Sequence, residues 1–366
     1  MRTDPFIGCL LGTAVGDALG LPYEGLSPGR AARLYPDATK HHLLFGKGMV
    51  SDDTEHASFV SQALIRSRGD VDKFRQQLAR SLRWWLSSLP AGVGFATSRS
   101  IVRLWLGFSP KKSGVNSAGN GPAMRSAILG VAFGHDGTRL KAFVRASTEI
   151  THTDPKAYYA ALGVAIAAIN VVCADDDWQA DYLRSLELLM PEAEASEFRG
   201  LAAKAMRSAT SGESIAQFAA SIGSKSGISG YCYHTVPAVL QVWFRYGDDF
   251  ERGLPEIILA GGDTDTAGAI FGAIVGARLG REGVPDLWLQ GIVDWPRTRG
   301  WLMRLGAAVA ASLDTDRPEV KSPPYFWPGV LPRNLLFLLV VLIHGFRRLL
   351  PPYGNKWGQI KGDIPD

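Results

Sequence analysis

The feature that most limits how this chain can fold is a run of small residues beginning at Gly261-Gly262-Asp263-Thr264-Asp265-Thr266. Behind it, Ala267, Gly268, Gly272, Ala273, Gly276, Ala277 and Gly280 recur every three to four residues. That spacing predicts a helix over 265–280 that packs so closely on its neighbours that only small side chains fit. The two carboxylates of the DTDT stretch alternate with hydroxyls, an oxygen-rich set suited to a hard cation. The preceding glycines let the backbone bend close to whatever is bound. A surface loop could hold the same pattern by chance, so the ligand reading needs a second acidic cluster.

That cluster is Ser51-Asp52-Asp53-Thr54, roughly 210 residues upstream and directly before an apolar run with Ala57, Phe59, Val60, Ala63 and Leu64 inward. Helix capping accounts for one acid and in part for a second, but not for the recurrence of the arrangement. Two such helix starts could close around two cations that would activate water and hold a phosphorylated or sugar substrate. Asp17 interrupts an apolar helix over 5–20 that carries Ile7, Leu10, Leu11, Ala14, Val15 and Ala18 on one face. It is either a carboxylate behind the ligands or the partner of a buried backbone group, because an unpaired charge there is costly. Glu24 follows Pro22 in a glycine-flanked loop, where most glutamates are plain solvent acids; near a metal pair it could ligate or take part in proton transfer.

Other loops carry weaker signals. Gly119-Asn120-Gly121-Pro122-Ala123-Met124-Arg125 turns into a helix and offers backbone N–H groups to an anion. His152, in Thr151-His152-Thr153-Asp154-Pro155, either caps the preceding helix or hydrogen-bonds a substrate or a ligating acid. In the loop over 223–230, Lys225 lacks the phosphate-loop spacing, while Tyr231 or Tyr233 could stack on a base. The stretches 26–50 and 92–121 read as long functional loops. The second is broken by an apolar piece around Val102–Leu106.

Beta-branched alternation is nearly absent, which predicts an all-α, compact multi-helix domain of orthogonal packing over 1–317. The chain has 366 residues, 46% of them apolar and 20% charged, which suits a large globular core. A net charge of +4 without a basic stripe excludes a nucleic-acid partner. Widely spaced Cys9, Cys173 and Cys232 and the lack of a signal pattern place it in the cytoplasm. From 318 to 366 the texture changes to a Pro-rich and apolar extension. There, nine consecutive apolar residues (Leu335–Ile343) are too few to span a bilayer. The expectation is a helix packed back on the body. A peripheral membrane contact, with Arg347, Arg348 and Lys356 near headgroups, or a subunit contact ranks behind it.

Taken in order, Gly12-Thr13-Ala14-Val15-Gly16-Asp17-Ala18-Leu19-Gly20 with Glu24, Ser51–Thr54, Gly119–Arg125, Thr151–Pro155 and Gly261–Thr266 make the chain resemble the ADP-ribosylglycohydrolase superfamily over about residues 5–312. The resemblance implies about a dozen helices around two divalent cations, Mg2+ or Mn2+, held by Ser51, Asp52, Asp53, Asp263, Asp265 and Thr266. Serine at 51, where the family usually has threonine, keeps the ligating oxygen. By the same resemblance Gly119, Asn120 and Gly121 hold the diphosphate and distal ribose, and His152 lines the ribose. Glu24, Asp53 and Asp265 are then the catalytic acids. The implied reaction is hydrolysis of the bond between ADP-ribose and a protein side chain, arginine in some members and serine in others, with an ADP-ribosylated protein or ADP-ribose derivative as partner; the short loops of this chain favour arginine. A hydrolase of small ADP-ribose derivatives and a non-catalytic, immunity-type binder are the alternatives.

Overall fold

In the computed structural model, which describes residues 3–173, 178–247, 249–314 and 320–349, the glycine repeat meets a second one. The helix Thr264–Leu279 lies antiparallel against Asp4–Gly20, with Gly268, Gly272 and Gly276 facing Gly16, Gly12 and Gly8. A Cβ on Gly12 would stand 1.9 Å from the Gly272 carbonyl oxygen, and one on Gly16 would stand 1.9 Å from that of Gly268. Backbone therefore packs directly on backbone. The Thr264 hydroxyl caps the pair by donating to the Gly20 carbonyl at 2.9 Å. This contact sets the start of one helix, with its DTDT acids, beside the end of the other, with Asp17.

Around this pair the described residues form seventeen α-helices and four short 3-10 turns, joined by isolated bridges rather than strands. The all-α expectation holds, and most elements lie within a few residues of where periodicity predicts them. Two do not. Phe95–Trp105 is an amphipathic helix, burying Thr97, Ser100, Ile101 and Leu104, inside the stretch expected as loop. Pro28–Leu34 is a short helix within 26–50. In both cases glycines and serines on the flanks mask a period only two or three turns long.

The helix Asp52–Ser67 buries Ala57, Phe59, Val60, Ala63 and Leu64, and Ser51 is its N-cap. Its first turn is also held by Asp17: the Ser51 N–H donates to both carboxylate oxygens at 2.9 Å, and the Thr54 N–H donates at 3.1 Å. Asp17 is thus the buried partner of backbone groups, an anion at a helix N-terminus.

Beyond the main body, Val330–Leu349 forms a long helix. Its inner face buries Val330, Arg333, Asn334, Phe337, Val340 and His344. Arg333 donates to Asp294 through Nε at 3.2 Å, the Asn334 amide donates to the Ser88 carbonyl at 2.8 Å, and His344 Nε2 lies 3.0 Å from the Pro22 carbonyl oxygen. The packed-back expectation therefore holds for this face, while Leu331, Leu335, Leu342 and Phe346 stay exposed on the other. One expectation is corrected: with its preceding turn the segment Trp327–Leu349 is 23 residues long, enough by length and composition alone to cross a bilayer. Its polar inner contacts tie it to the protein instead. Lys356, the side chain of Cys173 and the domain boundary expected at 317–318 lie outside the described residues.

Candidate active site

The glycine-packed helix pair delivers acids from both ends of the main body to one place. Gly25 N–H donates to the Gly262 carbonyl at 2.7 Å, and Gly262 N–H returns a bond to Leu26 at 2.8 Å. Asp263 N–H donates to Ile228 at 2.6 Å, and Asn120 N–H donates to Gly230 at 3.0 Å. Four loops distant in sequence are thereby stitched together by their backbones. Gly262 must be glycine for this: its φ is +85°, and a Cβ would lie 1.9 Å from the Ile228 carbonyl oxygen.

The cavity they enclose, about 630 Å³, is walled by Glu24, Ser51, Asp52, Asp263, Asp265 and Thr266, and by Gly119–Gly121 with His152. Asp53 lies just behind this wall, buried, and receives the Thr266 hydroxyl at 3.3 Å and the Ser51 hydroxyl at 3.1 Å. The Asn120 amide donates to Asp263 Oδ2 at 2.7 Å and to the Thr235 hydroxyl at 3.0 Å. Glu24, Ser51, Asp52, Asp53, Gly119–Gly121, His152, Asp263, Asp265 and Thr266 therefore share one neighbourhood. Tyr233 does not: it is buried against Phe198. Tyr231 is half-buried and accepts from Lys156 at 3.1 Å.

The electrostatics are those of an anion cluster without its counter-charge. Burial, then the charge of Asp17, lifts both Asp52 and Asp53 well above the usual carboxylate range. Asp265 is lifted in the same way, by burial and then by Glu24, Asp263 and Asp53. Asp17 is pushed up to about 6 by burial, against the pull of its hydrogen bonds. Glu24 is exposed at the rim, yet desolvation by the surrounding protein and then the Asp263 charge raise it too. Among the described residues no Lys or Arg forms an ion pair with Asp52, Asp53, Asp263 or Asp265.

Two buried oxygens, Asp53 Oδ1 and Asp265 Oδ1, have no hydrogen-bond partner at all. Buried charge that stays unpaired is expensive. Orphaned carboxylate oxygens among hydroxyls are the donor chemistry of a hard divalent cation. The side chains are not a finished cage: among the described residues no three His, Cys, Asp or Glu are arranged to hold a metal ion as they stand. The donor set fits the ion in chemistry, with serine and threonine hydroxyls supplying part of it.

Two buried networks behind the site escaped the sequence reading. Arg125 is buried; its guanidinium donates to the Ser147 carbonyl and the Thr151 hydroxyl at 2.8 Å each and lies 3.1 Å from His56 Nδ1. Burial brings it down to about 9, and together with Arg125 burial brings His152 down to about 3. His152 is therefore neutral, with Nδ1 2.9 Å from the Thr151 hydroxyl. Glu55 is buried between Arg297 and Arg333, the latter at 3.6 Å. The signal for each was a charged residue at a position that its apolar neighbours mark as inward.

The chain matches the family model described as ADP-ribosylglycohydrolase over residues 1–319. It is 31% identical over 298 residues to an uncharacterized protein of Archaeoglobus fulgidus, covering 80% of this chain and 92% of that one. It is 28% identical over 295 residues to the ADP-ribosyl-[dinitrogen reductase] glycohydrolase of Rhodospirillum rubrum, covering 78% and 90%. Against the ADP-ribosylhydrolase ARH3 of Bos taurus it is 25% identical over 338 residues, covering 80% and 90%. A solved ADP-ribosylglycohydrolase-related protein complex superposes with a TM-score of 0.62 at 26% identity, covering 84% of this chain and 97% of that one. Fold and sequence agree: this chain belongs to the ADP-ribosylglycohydrolase family and is a hydrolytic enzyme of that type.

Proposed function

We propose that the protein hydrolyses the glycosidic bond joining ADP-ribose to an arginine side chain, and that it works with two bound magnesium or manganese ions. The observation that carries the reading is the meeting of Asp52 and Asp53 with Asp263 and Asp265 around carboxylate oxygens that lack partners. Ser51, Asp52, Asp53, Asp263, Asp265 and Thr266 would hold the ions. When bound, such ions supply Lewis acidity and an anchor for vicinal hydroxyls.

The chain's own groups do the rest. Asn120, fixed on Thr235, orients Asp263. Asp17 holds the Ser51 and Thr54 backbone and so sets the direction of Asp52 and Asp53. The N–H groups of Gly119–Gly121 suit an anionic diphosphate, and neutral His152 beside them can hydrogen-bond a ribose without adding charge. The Glu24 carboxyl, raised toward neutrality, can give a proton to the departing nitrogen and take one from water. Once its proton is given up, the Glu24 carboxylate at the reacting centre favours an oxocarbenium-like transition state. A proton donor at this place also serves a guanidine nitrogen, which is more basic than a serine oxygen, and this supports arginine as the acceptor.

The test is release of free ADP-ribose from ADP-ribosylated arginine and serine peptides by the full chain with Mn2+ or Mg2+. The expected result is turnover of the arginine conjugate, lost in Asp263→Asn. Preferential cleavage of the serine conjugate would move the assignment to O-linked substrates. Undiminished turnover in the variant would remove the metal assignment.

A further inference from the structure

The family match stops at residue 319, yet the helix Val330–Leu349 beyond it reaches the same cavity. Phe337 and Val341 stand in the cavity wall near Leu21, Glu24 and Gly25. Phe337, Val341, His344 and Arg348 are spaced four, three and four residues apart, so one face of the helix carries them all. The two lower members grip the segment that bears Glu24. His344 Nε2 donates to the Pro22 carbonyl at 3.0 Å, and its ring stacks on Tyr35 with centroids 5.5 Å apart. Arg348 donates to the Glu24 carbonyl, and its own carbonyl accepts from Arg30 at 2.7 Å. Pro22, Glu24 and Arg30 are thus each bound by the last two turns of the helix.

We infer that the C-terminal helix is a working part of the active site: Phe337 and Val341 form the wall that selects the group attached to ADP-ribose, and His344 and Arg348 position Glu24. The direction of the substrate follows from chemistry, and this rests on the ADP-ribosyl hydrolysis reading above. Asn120 reaches the acids from the Asp263 side, where glycine N–H groups suit the diphosphate. The helix reaches them from the Glu24 side with apolar carbon, which offers an anion nothing. The uncharged stem of an acceptor side chain fits there, with Glu24 at its end.

With its main-chain carbonyl held by Arg348, Glu24 has a fixed backbone position, so the helix sets where the carboxyl is anchored as well as what passes it. The outward Leu331, Leu335 and Leu342 take no part in this. Cutting the helix away would strip the buried Asp294 of its Arg333 partner, so point changes in the full chain are the sounder probe.

The experiment compares wild type with Val341→Trp, Arg348→Ala and Arg348→Lys in the full chain. Substrates are ADP-ribose joined to free arginine, to an arginine peptide and to a folded protein. Hydrogen exchange over residues 21–35 is followed in parallel. Val341→Trp should raise KM for the peptide and protein conjugates by about tenfold relative to the free-arginine conjugate with kcat little changed, since a bulkier wall removes binding that ground and transition states share. Arg348→Ala should lower kcat on all three by about tenfold and speed exchange over 21–35, with Arg348→Lys recovering part of both. An active wild type whose variants keep the same substrate ratios and the same exchange would overturn the inference. A wild type inactive on every conjugate would instead count against the hydrolysis reading and the acceptor assignment, while exchange alone would still decide whether Arg348 holds the Glu24 segment.

Discussion

The Thr266 hydroxyl donates to Asp53 Oδ2 at 3.3 Å, joining residues 213 positions apart in the chain. No local preference could bring them together. The contact exists because two helices lie backbone to backbone through facing glycines, with their acid-bearing ends at the same level. Site geometry and helix packing are therefore one property of this fold.

Gly12→Ala tests that link. The added methyl would fall 1.9 Å from the Gly272 carbonyl, and backbone cannot yield as a side chain can. We expect a loss of about 3 kcal/mol or more in chemical denaturation, at the upper end of overpacking costs. Gly29→Ala, with nothing within 4 Å, serves as control and should be neutral or slightly stabilising. Equal effects at the two positions would show that the close approach is absent in solution.

His152 gives the stability a defined acid limb. Its folded-state value is lowered to about 3, below the ordinary value of 6.5. The unfolded chain therefore binds the proton first. The stability from keeping this ring neutral is present above about pH 6.5 and is lost as pH falls toward 3. Thermal unfolding between pH 7 and pH 4 should show a shallower slope, by about one proton, in His152→Gln. An unchanged slope would mean that the ring already protonates in the folded state.

Arg333 carries the docking of the C-terminal helix. It is buried, pairs with Asp294, and lies 3.6 Å from Glu55, whose charges hold it protonated. Arg333→Met leaves Asp294 without its partner and should cost about 3–5 kcal/mol. Adding Asp294→Asn should recover part of that loss in a double-mutant cycle. A single-variant cost below about 1 kcal/mol, the level of a surface pair, would mean that the helix is not anchored here.

The acid cluster should behave differently from an ordinary core. In chelator, Asp265→Asn removes a charge that burial and four neighbouring carboxylates disfavour. It should raise the stability of the cation-free chain by an amount on the order of 1 kcal/mol. A fall in stability would show that the cluster is internally compensated without a cation.

Much of this was readable before any coordinates. The two hydroxyl-and-acid clusters and the glycine repeat of 264–280 are local patterns whose chemistry survives folding unchanged. Asp17 was recognisable as a charge on an apolar stripe, although its task, binding the Ser51 and Thr54 backbone, depended on a helix 34 positions away. Other features were hidden because their partners are remote. Glu55 meets Arg297 across 242 positions, and no spacing rule links them. The Phe95–Trp105 helix was obscured by glycines on both sides, which carry the stronger local signal. The C-terminal helix was legible as a helix packed on the body. Its approach to Glu24 was not, since hydropathy reports which face is buried and not what lies beneath it. Tyr233 misled for a related reason: an aromatic beside a loop is as easily core as ligand platform.

The most direct test of the account is calorimetric titration of Mn2+ into the full chain after removal of metals by chelation, wild type beside Asp53→Asn and Asp263→Asn. Acids from both ends of the body that share a cation site predict saturable binding to wild type. They also predict its loss or severe weakening in each variant, with the helical circular dichroism intact. Equal binding by either variant, or no binding by wild type, would contradict the claim that these two segments meet to hold the ions.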